Sequence, residues 1–167
     1  MSPDAAVIAP SASDRESAVA EDDRLQLRLW LRLLTCTDLI EERVRGRLRA
    51  EFATSLPRFD VLAQLDRTAE GLTMSALSSR LMVSNGNVTA LIEAMARDGL
   101  VERRQNPADG RSALITATAD GRALFQRMAP AHQGWIDGMM AGMSRAEMVL
   151  ALELLGKLKQ SVRGEAS

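Results

Sequence analysis

The stretch TMSALSSRLMVSNGNVTALIEAMARDGLVERRQNPADGRSALITAT, residues 73–118, decides the fold. Thr73 is placed to N-cap a short helix whose Ala76, Leu77 and Leu81 share one face, and Ser84 is placed to cap a second, longer helix. Only Met82 and Val83 separate them, so the two helices must cross steeply and the second presents its outer face. In that second helix Val88, Leu91, Ile92 and Met95 follow the spacing of a buried side. Asn85, Asn87, Thr89 and Ala90 occupy its first turns on the other side. Asn can pair two-fold with adenine, and Thr or Ala can touch a thymine methyl, so this is chemistry suited to base edges. Asp98-Gly99 ends the helix, with Gly99 suited to a left-handed position. Residues 100–105 and 112–118 then favour strands, joined by a turn-forming Asn106-Pro-Ala-Asp-Gly-Arg111. The pattern predicts a mainly α protein with a small β-hairpin wing, a winged helix-turn-helix.

Here the sequence resembles the multiple-antibiotic-resistance regulator (MarR) family of bacterial transcription factors. The matching residues are LPRFDVLAQL at 56–65, SALSSRLMVSNGNVTALIEAMARDGLVERR at 75–104, PADGRS at 107–112 and ITATADGRALF at 115–125. The resemblance spans roughly Arg24 to Val162 and is specific as a set, because an Asp-x-Arg wing tip after Gly-Leu-Val is far rarer than a helix-turn-helix alone. It implies a homodimer that binds a pseudo-palindromic operator in double-stranded DNA. Ser84, Asn85, Asn87 and Thr89 would lie nearest the bases, and Arg111, oriented by Asp109, would enter the minor groove. Arg80, Arg97, Arg103 and Arg104 are candidates for phosphate contacts.

Outward from this block the chain divides into an expected disordered arm (1–20), a long N-terminal helix (21–54), the DNA-binding lobe (55–118) and C-terminal helices (119–167). The N-terminal helix carries an apolar stripe of Leu25, Leu29, Leu33, Cys36, Ile40, Val44 and Leu48, widened by Trp30 and Leu34. Such a helix needs another long helix to pack against. Ser55-Leu-Pro57 opens the next helix, which buries Phe59, Leu62, Ala63 and Leu65 and closes near Glu70-Gly71. Thr118 opens a long helix that Pro130 should bend, and Ser144-x-x-Glu147 is a capping box for the last, with Met148, Leu152, Leu155, Lys159 and Val162 along one stripe. By resemblance the first and last helices are dimerisation helices that interlock between subunits.

Charge sets a limit. The 167 residues carry a net charge of −1, and residues 73–111 hold five arginines against four acidic residues, so any attraction to phosphate is local and moderate. The single cysteine allows no internal disulfide, and no segment has the length of a membrane span or the form of a signal peptide, which leads to the expectation of a cytoplasmic protein. One histidine, one cysteine, no nucleophile elbow and no phosphate loop leave no parts for an enzyme, a metal site or a cofactor.

By resemblance, a small-molecule effector such as an aromatic carboxylate would sit beside the dimerising helices and release a repressor from DNA. Trp30, Leu34, Phe59, Leu62, Met128 and His132 are the candidate lining residues, with Arg28, Arg32 or Arg58 to meet a carboxylate. Two other readings stay open: a winged-helix protein-interaction scaffold that does not bind DNA, and a redox-sensing regulator acting through Cys36, although the absence of tyrosine departs from the peroxide-sensing relatives.

Overall fold

A computed structural model describes residues 24–81, 85–107, 109 and 112–164. Among these, six helices and three strands follow in the order α1 (Leu25–Phe52), α2 (Leu56–Asp66), β1 (Leu72–Thr73), α3 (Met74–Leu81), α4 (Asn85–Arg97), β2 (Val101–Gln105), β3 (Ala113–Ala117), α5 (Ala119–Met140) and α6 (Arg145–Val162). This is the expected winged helix-turn-helix flanked by long helices. The chain separates into two compact units between Ser55 and Leu56.

The first unit contains α1. It ends at Ala53, whose φ of 49° is left-handed and whose N–H donates to the Arg49 carbonyl at 3.2 Å. Of the stripe expected along α1, only Val44 and Leu48 are buried. Cys36 is exposed rather than a core residue, while Leu33 and Ile40 on the same stripe are half-buried.

In the second unit the core collects Phe59, Val61, Leu62 and Leu65 from α2, Leu77 from α3, Val88, Ile92 and Met95 from α4, Ile115 from β3 and Met128 from α5. Helix α2 is central: it packs on α3, α4, α5 and β3, which is why Val61 is buried together with the expected Phe59, Leu62 and Leu65, whereas the expected Ala63 is only half-buried. It also stops at Asp66, four residues before Glu70, where the chain turns and the Thr68 N–H bonds to the Leu65 carbonyl at 3.1 Å.

The early stop releases Leu72 and Thr73 to form a third strand that the sequence pattern did not reveal. The sheet order is β1-β3-β2, antiparallel throughout, with Leu72 opposite Ile115 and Val101 opposite Ala117. Gly71 makes this entry possible: its φ is +87°, and a Cβ there would lie 2.6 Å from the Ile115 carbonyl oxygen. Thr73 then serves twice, as the end of β1 and as the cap of α3, where its hydroxyl accepts from the Ala76 N–H at 3.2 Å.

Helix α4 ends in a Schellman motif. Gly99, at φ +73°, donates to the Ala96 carbonyl (3.0 Å) and Leu100 donates to the Met95 carbonyl (2.9 Å). Helix α5 starts at the same place in space. The Thr118 hydroxyl accepts from the Gly121 N–H (3.0 Å) and donates to the Gly99 carbonyl (2.6 Å), while the Thr118 N–H reaches the Leu100 carbonyl (3.1 Å). Gly121 permits this approach, since a Cβ on it would come within 2.0 Å of the Leu100 oxygen. Helix α5 runs on through Pro130 to Met140. The Ser144–Glu147 capping box forms in full, and the resulting hydrogen bonds hold the Glu147 carboxyl below its usual range. No residue of α6 is buried.

Candidate nucleic-acid interface

The second helix of the helix-turn-helix, α4, has two opposed faces. Val88, Ile92 and Met95 are fully buried, while Asn87, Thr89, Ala90, Glu93 and Arg97 are exposed. The periodicity that buries the first three residues is what turns the others outward. Asn85 is the first residue of the helix; its side chain, Ser84 and Arg111 lie outside the described residues. Sequence reasoning missed Glu93. It stands four residues from both Thr89 and Arg97 and so belongs to the same exposed ridge, a signal the i, i+4 rule contains. A carboxylate there repels phosphate but can accept from the exocyclic amine of cytosine.

Around this face the arginines differ in how they are held. Arg80, at the end of α3, donates to the Thr68 hydroxyl at 3.2 Å, and Thr68 in turn donates to the Gln64 carbonyl at 3.3 Å. On β2, Arg103 and Arg104 are exposed and, as neighbours on a strand, point to opposite sides. Arg104 places Nε and Nη2 on one Glu102 oxygen, at 2.9 and 2.6 Å, and the Thr116 hydroxyl across the ladder donates to that oxygen at 3.3 Å. Both partners of the pair are well exposed, so phosphate can compete for the arginine at small cost.

The base of the wing is clasped. Asn106 and Ser112 join through their side chains (2.8 Å) and through the Asn106 N–H to the Ser112 carbonyl (3.2 Å). Between them the Asp109 N–H bonds to the Asn106 carbonyl (3.2 Å), and its own carbonyl receives the Ser112 N–H (3.0 Å). Asp109 is exposed at this tip.

The residues named for an effector fall into both units. Arg28, Trp30, Arg32 and Leu34 lie on α1 in the first, where Trp30 is 55% exposed. In the second unit Leu62 and Met128 are fully buried and Phe59 nearly so, which makes them part of the core. Arg58 is ion-paired with Asp98, Nη2 to Oδ2 at 2.5 Å. The half-buried His132 ring stacks on Phe59 with centroids 4.7 Å apart and meets Trp135 edge-on at 6.3 Å; burial pushes its pKa below the ordinary 6.5. Among the described residues there is no group of three or more His, Cys, Asp or Glu able to hold a metal ion, and no helix long and apolar enough to cross a membrane.

Comparison with known proteins gives this geometry its context. Residues 54–113 match the model of the MarR family. The chain is 30% identical over 149 residues to the transcriptional activatory protein BadR of Rhodopseudomonas palustris, covering 86% of this chain and 85% of that protein. It is 31% identical over 102 residues to the HTH-type transcriptional repressor YetL of Bacillus subtilis, covering 60% and 61% respectively. Among solved structures, a MarR family transcriptional regulator from Silicibacter pomeroyi matches with a TM-score of 0.71 and 33% identity, over 85% of this chain and 99% of that one. With the helix-turn-helix, the hairpin wing and likenesses over about 85% of the chain together, the chain belongs to the MarR family of DNA-binding transcriptional regulators.

Proposed function

We propose that this regulator binds a pseudo-palindromic operator as a homodimer, with α4 in the major groove and the wing along the adjacent minor groove, and acts as a repressor released by a small aromatic acid. The observation that carries the reading is the two-faced α4, in which a fully buried apolar side supports an exposed Asn87, Thr89 and Arg97. Ser84, Asn85 and Arg111 belong to the same proposed contact surface, as do Arg80, Arg103, Arg104 and Asp109. The dimer reading is supported by the terminal helices. Leu25 is 73% exposed, Leu152 72% and Val162 79%, and such side chains on long helices are covered when a second copy packs on them. Support for the effector class is the Phe59–His132–Trp135 aromatic group, whose half-buried His132 and Trp135 rings suit a flat aromatic molecule.

Fluorescence anisotropy on DNA from upstream of the protein's own gene, against scrambled DNA, across a salt series and a panel of aromatic acids, tests this reading. Specific binding that weakens with salt and collapses with one acid is the expected result. Equal weak binding to both DNAs would reject it in favour of a protein-interaction scaffold. The likeness to an activatory protein over 85% of its length favours a second reading for the sign of control, activation. A reporter fused to the operator, which should rise on deletion of a repressor and fall on deletion of an activator, decides between them.

A further inference from the structure

One ion pair in the second unit sits where local helix electrostatics disfavours both partners. Arg58 is the third residue of α2, and a cation at a helix N-terminus faces the positive end of the dipole. Asp98 directly follows the last residue of α4, where a carboxylate faces the negative end. Forty residues apart in sequence, they meet at 2.5 Å. Neither charge stabilises its own helix, so what the pair does is tie α2 to the end of α4.

The α2 side of this tie is rigid. Phe59, adjacent to Arg58, is buried and packs on Phe125 (5.6 Å) and His132 (4.7 Å) of α5. On the other side, Asp98 lies at the end of a lever. From Asp98 back to Asn87 along the helix is about 16 Å, so a tilt of about 5° at the tied end displaces the exposed face by roughly 1.5 Å. Hydrogen bonds to base edges tolerate only a few tenths of an ångström.

We infer that Arg58 and Asp98 are a positioning pair, which sets the attitude of the reading helix and on which discrimination of operator from other DNA depends. The inference rests on the DNA-reading role proposed above for α4. Its signature is a sign. Asp98→Asn removes a negative charge from the DNA-binding lobe, so electrostatics alone would tighten binding to every sequence. A positioning role demands the opposite for the operator only.

The experiment measures operator and scrambled-DNA affinity for the full chain and for Asp98→Asn, Arg58→Gln and the reversed pair Arg58→Asp/Asp98→Arg, each checked for folding by circular dichroism. The expected result is about a 5-fold or greater loss of operator affinity in Asp98→Asn, with scrambled-DNA binding unchanged or tighter, and recovery of operator preference in the reversed pair. Folded Asp98→Asn that binds the operator as tightly as the unaltered protein, or tighter, would overturn the positioning role and leave the reading helix intact. If Asp98→Asn does not fold, the reversed pair decides: operator preference retained supports the inference, and preference lost in a folded protein refutes it. Absence of operator preference in the unaltered protein would instead reject the reading role of α4, and the inference with it.

Discussion

Gly121 and Gly134 lie on the same helix, and the structure assigns opposite signs to the same substitution at the two. A Cβ at Gly121 would stand 2.0 Å from the Leu100 carbonyl oxygen and 3.0 Å from its carbon, both backbone atoms that cannot rotate away. Relief requires the start of α5 to back off by more than 1 Å to an ordinary contact of about 3.3 Å. That movement stretches the Thr118 bonds to Gly99 and Leu100, now 2.6 and 3.1 Å. Overpacking costs about 1–3 kcal/mol and each weakened hydrogen bond about 1 kcal/mol, against a gain of about 1 kcal/mol from replacing a helical glycine by alanine. Gly121→Ala is therefore destabilising by about 3 kcal/mol, a large part of the ~5–15 kcal/mol that holds a domain folded. At Gly134 a Cβ meets nothing within 4 Å, and only the helix-propensity gain of up to about 1 kcal/mol remains. Urea denaturation followed by circular dichroism compares the two midpoints at fixed protein concentration. Equal shifts of the same sign would refute the close approach between α5 and Leu100.

Three further predictions follow from single residues. Ala53 holds a left-handed φ of 49°, so Ala53→Gly should raise stability by about 0.5 kcal/mol, the relief of strain being partly offset by a freer unfolded chain; a lower denaturation midpoint would contradict it. His132 has its folded pKa lowered by burial, so below its ordinary 6.5 the unfolded chain takes up the proton first. Stability should fall as pH drops from about 6.5 through the folded pKa, and His132→Phe should remove that component of the acid sensitivity seen in melting temperature. Asn87→Ala deletes an exposed amide on α4 and should weaken operator binding by about 1–3 kcal/mol at one base position while leaving the melting temperature unchanged; equal affinity across operator variants in both proteins would exclude Asn87 from base reading.

What was legible in the sequence was what depends on neighbours within a few residues. The caps at Thr73, Thr118 and Ser144, the Gly99 helix end and the buried face of α4 are all local devices, and each occurs where its pattern predicts. The two-residue strand β1 was hidden because Leu72 and Thr73 are extended only by pairing with β3, more than forty residues on. The early end of α2 has the same origin, since Glu70 and Gly71 serve the entry to that strand rather than the close of a helix. Arg58 reads in sequence as a free cation because its partner Asp98 lies forty residues away. Leu62 and Met128 read as possible pocket wall because periodicity reports which side of a helix is apolar, not how deeply that side is covered. The exposure of Cys36 is the converse case, an apolar stripe longer than the burial that the described residues provide.

Helix α6 is the extreme of that excess, and it bears on thermodynamics. Most helical stability in proteins comes from tertiary packing of an apolar face rather than from propensity. The 18 residues of α6 have a complete capping box but no buried side chain in the single chain. Its formation is thus coupled to whatever covers Leu152, Leu155 and Val162. If that cover is a second copy, helical content is not a fixed property of the polypeptide but a function of its concentration: dilution below the dissociation constant should unwind α6 first, and the melting temperature should climb with protein concentration as mass action requires.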